Sequence, residues 1–122
     1  MGDPDAAGAW KVALRRRARE TRAALDTRAI SAQLRARIAA LPEYQAARHV
    51  LLYLALPGEV RVEALMTLPG SASKQFYVPR CAPDRRLALH PFLSGTTPLV
   101  PGPFGIREPD AARVPEATPA NL

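Results

Sequence analysis

Lys11 and Arg15 stand four residues apart in Lys11-Val12-Ala13-Leu14-Arg15. On a helix this spacing puts both on one face, where they can reach one anion together. Arginine grips a phosphate through parallel N–H donors, and lysine adds a mobile point charge. The competing reading is a solvated basic face, and it applies with more force to Arg16, Arg17, Arg19 and Arg22. A second candidate is Leu54-Ala55-Leu56-Pro57-Gly58-Glu59, where an apolar run meets a Pro-Gly turn and then a carboxylate. In an open α/β sheet, ligands bind outside the carboxyl ends of strands, which is where Leu54 and Glu59 would lie. Glu59 is then placed to accept hydrogen bonds from ring N–H donors, or equally to serve as an acid at a helix N-terminus. Arg80 follows a second apolar run and can face the same crevice, whereas Lys74 reads as an exposed strand flank. His90 reads as a structural or surface histidine. Cys81 reads as a small buried residue. Ser31, Ser71, Ser73 and Ser94 lie in no nucleophile elbow. The usual glycine-rich nucleotide loops, G-x-x-x-x-G-K-[ST] and G-x-G-x-x-G, do not occur.

These residues need elements to hold them. Ala9 to Leu25 is rich in Ala, Arg and Leu and predicts a helix, with Trp10, Leu14, Ala18 and Thr21 as a narrow inner stripe. Asp26 or Thr27 offers an N-cap for a second helix ending near Leu41, its stripe formed by Ile30, Leu34, Ile38 and Leu41. Pro42 opens a short turn or helical cap. Arg48 to Leu56 changes period, and its unbroken apolar run from His49 to Leu54 predicts a strand buried on both faces. Val60 to Leu68 fits a short helix with Val62, Leu65, Met66 and Leu68 inward. Gln75 to Val78 predicts a second strand stopped by Pro79, and Leu87 to Phe92 a third. The first two strands are expected to run parallel across a right-handed crossover. From Ser94 onward prolines recur without any periodic segment, which predicts a loose tail beside an exposed sheet edge.

Composition narrows the classes. The 122 residues allow one small domain, and no apolar run approaches the length of a membrane span. The start MGDPDAAGAWK has no apolar segment of the secretory kind, so a soluble cytoplasmic protein without membrane association is expected. One cysteine and two histidines provide neither an internal disulfide nor a zinc site, so no metal ligands are assigned. The net charge of +6 comes from 15 arginines and two lysines against 11 acids. Residues 1–48 hold ten basic and five acidic residues, which is +5 of that surplus. Such a field steers any polyanion, including ATP. Nucleic acid is the least favoured partner, since only Trp10 interleaves the basic helix as a stacking platform.

Taken in order, these segments resemble the 5-formyltetrahydrofolate cyclo-ligase family. The matching pieces are Lys11-x-x-Leu14-Arg15, Tyr44 before the first strand, Leu52-Tyr53-Leu54 leading to Glu59, and Lys74 with Val78-Pro79-Arg80. The last is Gly102-Pro103-Phe104-Gly105-Ile106-Arg107-Glu108-Pro109, of the form G-x-[FWY]-G-I-x-E-P. The resemblance implies an α/β fold with a three-layer Rossmann-like sheet and an ATP- and Mg²⁺-dependent conversion of 5-formyltetrahydrofolate to 5,10-methenyltetrahydrofolate. By position it implies that Lys11, Val12, Ala13, Leu14 and Arg15 contact ATP, while Leu54 and Glu59 line the folate pocket and Phe104 packs near the pterin. The implied step is attack of the formyl oxygen on the γ-phosphate, then ring closure by the neighbouring folate nitrogen. The family pattern continues with a loop of the type R-x-G-x-G-x-G-Y-Y-D, which this sequence lacks. The expectation is therefore an incomplete sheet, with residues 1–109 as the N-terminal portion of the domain and 110–122 as a Pro-rich irregular tail. Activity of the chain alone is then expected to be impaired or absent, and a complementing C-terminal part to be required. The alternatives are a non-enzymatic, partner-binding remnant and, last, an Arg-rich nucleic-acid binder.

Overall fold

The computed structural model describes residues 4–118, so the last four residues of the expected tail lie outside the described residues. Three helices come first: α1 (Pro4–Ala23), α2 (Thr27–Ala40) and the short α3 (Pro42–Ala46). Strand β1 (His49–Leu51) is followed by a 3₁₀ turn at Glu63–Thr67 and by β2 (Gln75–Cys81). Then come β3 (Leu87–Pro91), β4 (Leu99–Pro101) and β5 (Arg107–Pro109). Strands β1 and β2 are parallel and β2 and β3 antiparallel, giving a mixed sheet in the order β1-β2-β3. Strands β4 and β5 form a separate antiparallel pair.

Pairing puts Val50, Phe76 and Phe92 on one sheet face. Leu52, Val62, Leu65, Phe76, Val78 and Phe92 make the core there, with Ile38, Tyr44 and Leu54 packed at its margin. The other face of β1 is open: Leu51 is 57% exposed and Tyr53 44%. The strand is thus buried on one face, not two, because no layer among the described residues covers the second. Only His49–Leu51 pair as a strand, since the chain from Leu52 turns away from β2 after one last bond from Leu52 N to Tyr77 O. The helix expected at Val60–Leu68 is the shorter 3₁₀ turn, and it still buries Leu65.

Helix α2 starts as expected, with Asp26 Oδ1 accepting from Ala29 N at 3.1 Å. Its inward stripe differs. Leu34 and Leu41 are exposed, while Ser31 is buried, donates to Thr27 O and accepts from Arg61 N at 2.9 Å. Arg35, one turn on, donates to Arg61 O at 3.2 Å. The helix docks through polar groups on the 59–62 segment and through Ile38 on the core. Lys74 is no free flank: its ammonium donates to the carbonyls of Tyr44, Gln45 and Ala47 and lies 4.6 Å from the Tyr44 ring centroid. A cation at the carbonyl end of a helix is favourable, and here it fastens α3 to the start of β2.

Pro79 does not stop β2. Gln75 N bonds to Arg48 O and Tyr77 O accepts from Leu52 N, so odd-numbered residues face the β1 side. Pro79 therefore lacks its N–H on the side where β1 has already left, and no ladder bond is lost. Cys81 follows the same parity and is exposed rather than buried. Its amide donates to Glu108 Oε2 at 2.6 Å, and Glu108 is itself 8% exposed. The loose tail is replaced by an ordered one. Val114 is buried, His90 Nδ1 meets the carbonyls of Val114 and Pro115 at 3.1 Å, and Ala117 N donates to Leu89 O on the outer edge of β3. Arg80 Nε donates to His90 Nε2 at 3.0 Å, which leaves the ring hydrogen on Nδ1 for those carbonyls.

The Glu108 anchor makes Gly102 a sensitive position. A Cβ there would lie 2.5 Å from Glu108 Oε1 and 2.6 Å from its Cγ. Gly102→Ala should therefore cost about 1–3 kcal/mol of unfolding free energy through overpacking, read as a lower urea midpoint. An unchanged midpoint would mean that the hairpin yields without effect on the sheet.

Candidate functional site

The chain leaving β1 makes one wall of a cleft. From Leu52 it runs without regular structure to Leu56, turns at Pro57-Gly58 with Gly58 at φ 86°, and returns towards α2. The loop is held by its own polar groups. Glu59 Oε1 accepts from Leu56 N at 2.7 Å, Glu63 Oε1 accepts from Ala55 N at 2.9 Å, and the Tyr53 hydroxyl donates to Val60 O. Each carboxylate satisfies an amide that the departing strand would otherwise leave unpaired. The open cleft beside this loop has a volume of about 790 Å³. Leu54, Ala55, Leu56 and Pro57 line one side, Phe92 and Leu99 contribute further apolar surface, and Arg35, Arg61 and Arg107 reach its margin.

The candidate residues divide. Leu54 lies in this cleft as expected for the carboxyl end of a strand. Glu59 faces a smaller neighbouring hollow of about 300 Å³ with Arg28, Arg35 and Arg61. Phe104 lines neither and is 91% exposed at the tip of the β4–β5 hairpin, though Gly105 and Arg107 beside it do reach the cleft. Lys11, Val12, Ala13, Leu14 and Arg15 sit on α1, exposed throughout, and line neither hollow. Trp10 and Leu14, the expected inner stripe, are 65% and 50% exposed. Arg80 is turned onto His90 rather than towards the cleft. No spacing rule in the sequence links Arg35, Arg61 and Arg107; the signal it holds is that Arg61 follows the Pro-Gly turn by three residues and Arg107 sits inside the G-x-[FWY]-G-I-x-E-P loop. Among the described residues no group of three His, Cys, Asp or Glu side chains is placed to hold a metal ion.

The sequence model of the 5-formyltetrahydrofolate cyclo-ligase family matches residues 7–122. A solved structure of 5,10-methenyltetrahydrofolate synthetase from Aquifex aeolicus is similar in fold, with a TM-score of 0.64 and 23% identity over 92% of this chain. The chain spans 57% of that protein's length. None of the curated proteins compared matches it. The chain belongs to the 5-formyltetrahydrofolate cyclo-ligase family, and its mixed α/β fold is that of the synthetase structure over the shared part.

Tyr53 reports on the loop. Desolvation raises its hydroxyl pKa above the usual tyrosine value, and the negative charges of Glu59 and Glu63 raise it further. The phenol form is thus favoured in the folded state, a contribution present below the ordinary tyrosine pKa and lost as pH rises through the folded value. Glu59→Gln and Glu63→Gln should each move the Tyr53 transition back down in an alkaline ultraviolet titration, with Tyr53→Phe identifying the transition. A transition unmoved by either change would mean that neither carboxylate acts on the Tyr53 hydroxyl.

Proposed function

We propose that this member of the 5-formyltetrahydrofolate cyclo-ligase family binds 5-formyltetrahydrofolate in the cleft at the end of β1 and takes part in its ATP-dependent conversion to 5,10-methenyltetrahydrofolate. The observation that carries this reading is the position of Leu54: it lines an open cleft of about 790 Å³, of mixed apolar and polar lining, just beyond the carboxyl end of a sheet strand. Such a cleft suits a flat ring system with an anionic end, since Leu54, Leu56 and Phe92 offer apolar contact while arginines stand at the margin. Glu59 would accept pterin N–H groups from the adjoining hollow. Its carboxylate has a second oxygen beyond the one bonded to Leu56 N. Phe104 would close over the ring from the hairpin tip.

In this reading Lys11 and Arg15 neutralise the triphosphate from α1, with Val12, Ala13 and Leu14 forming the rest of that contact. The reaction transfers the γ-phosphoryl group to the formyl oxygen and then expels phosphate as the folate nitrogen closes the ring. It needs positioning and charge neutralisation rather than a protein nucleophile. The described residues hold no group of three His, Cys, Asp or Glu side chains placed for a metal ion, and Mg²⁺ would enter with the phosphates of the nucleotide, whose charge it would help to neutralise. Residues 1–109 would form the N-terminal portion of a Rossmann-like layered domain, with 110–122 as an irregular segment following it. A C-terminal part supplying a glycine-rich phosphate loop would complete the nucleotide site.

Two measurements separate the ligands. Leu54→Ala should weaken 5-formyltetrahydrofolate binding by about 1–3 kcal/mol through lost apolar contact, with ATP binding unchanged in calorimetric titrations. Lys11→Ala or Arg15→Ala should do the reverse, weakening ATP by about ten- to a hundredfold through one charge-assisted contact. Folate binding that ignores Leu54→Ala would remove the cleft from the reading, and ATP binding indifferent to both α1 changes would return them to a solvated face. Absorbance of the methenyl product, with both ligands present, reads turnover directly.

A further inference from the structure

Among the described residues that line the cleft from β3 onward, Arg107 is the charged one. Its companions on that wall, Ser94, Gly95, Thr97, Leu99 and Gly105, are neutral. The other two arginines of the cleft, Arg35 and Arg61, also line the hollow that holds Glu59, so a carboxylate stands among them. Arg107 does not line that hollow. The acids near it in the chain are engaged elsewhere. Glu108 Oε2 accepts from Cys81 N, and Asp110 Oδ1 accepts from Ala112 N. Among the described residues the Arg107 guanidinium has no ion pair and no hydrogen bond; the ion pair that does form joins Arg86 to Glu116.

The side chain is unpaired, but its base is fixed. Arg107 lies opposite Pro101 in the β4–β5 register, and Gly102 N donates to Ile106 O at 2.8 Å. Glu108, the next residue, is pinned to Cys81 N at 2.6 Å through the gap that Gly102 leaves. Alternation along β5 then directs residue 107 to the opposite side, towards the cleft. A donor held at the right wall before a ligand arrives loses less entropy when it binds.

We infer that Arg107 receives the carboxylates of the substrate's glutamyl tail and thereby sets the direction in which the substrate lies. This rests on the cleft being the 5-formyltetrahydrofolate site, with the ring N–H groups at Glu59. The two ends of that ligand differ in kind, since the ring offers donors and the tail offers anionic acceptors. The protein matches them, because Glu59 accepts and Arg107 donates from the wall that Glu59 does not share. The reversed ligand would set its tail against a carboxylate and its ring donors against a guanidinium. A planar N–H fork also fits a carboxylate better than a point charge does.

The test is calorimetric titration of the whole chain, at low salt, with 5-formyltetrahydrofolate and with its dimethyl ester. The ester keeps the ring and body but has neutral tail groups. The acid should bind about tenfold or more tightly than the ester. Arg107→Gln should weaken the acid by that factor and leave the ester unchanged, so that the preference disappears, and Arg107→Lys should restore part of it. Arg17→Gln removes equal charge from α1 and should keep the full preference. Leu54→Ala, by contrast, should weaken acid and ester alike. Unchanged circular dichroism is expected for the Arg107 variants, whose side chain has no partner to lose. The inference is overturned if the acid shows no preference over the ester, if Arg107→Gln weakens both alike or neither, or if it weakens ATP instead. In each of these cases the Leu54→Ala result still decides the cleft reading. Binding of neither ligand to the unaltered chain overturns both.

Discussion

Strand β2 continues from Val78 to Cys81 after β1 has stopped pairing with it, and the rest of the molecule is arranged around that divergence. A strand that runs on alone leaves amides and carbonyls exposed on one side, and each must find a partner. Pro79 removes one donor outright. Glu108 reaches in from β5 and accepts the Cys81 amide, filling the gap with a carboxylate where a backbone carbonyl would otherwise stand. On the other branch, the 53–63 loop satisfies its own amides with Glu59 and Glu63. The cleft is the space between these two solutions.

What the sequence makes legible follows the range of the interaction. The apolar runs at 49–54, 75–78 and 87–92 mark the sheet because local period and side-chain type decide them. Val62 and Leu65 are recognisable as core for the same reason. Pro79 misleads because its effect depends on which side of β2 it faces, and that is set by where β1 ends. Lys74 misleads because its partners, the carbonyls ending α3, lie far along the chain, whereas His90, expected to be structural or at the surface, is structural, its partners at Val114 and Pro115 being what the sequence does not show. The segment after Ser94 shows no period because its two strands are three residues each and its remaining order comes from single contacts with the sheet.

The site divides along the same line. The place of Leu54 beside the cleft is legible because open sheets leave crevices beyond their strand ends, although pairing stops at Leu51, short of the Pro-Gly turn. The arginines around it are not, because they arrive from α2, from the loop after Gly58 and from β5, which no spacing rule links. Lys11 and Arg15 show the opposite case. Their four-residue spacing is a local fact that the helix realises, yet nothing local says what the helix faces, and residues 8–23 of α1 are exposed.

Alternation along β5 joins the anchor to the cleft. Glu108 points to Cys81 while its neighbour Arg107 reaches the cleft margin, as period-two geometry requires. A slip of one residue in the hairpin would send the guanidinium into the gap and the carboxylate to the cleft, reversing the charge of both. The register is fixed by the turn. Phe104 and Gly105 both take positive φ, 59° and 74°, in a tight connection closed by Ile106 N to Pro103 O, the handedness that matches the twist of a two-stranded pair. Glycine takes that conformation freely, but phenylalanine does so at a cost. Gly102 then leaves room for the Glu108 side chain. The Gly-Pro-Phe-Gly-Ile-Arg-Glu-Pro segment is thus one device: a turn that sets register, a gap that admits the anchor, and an anchor that holds Arg107 at the cleft.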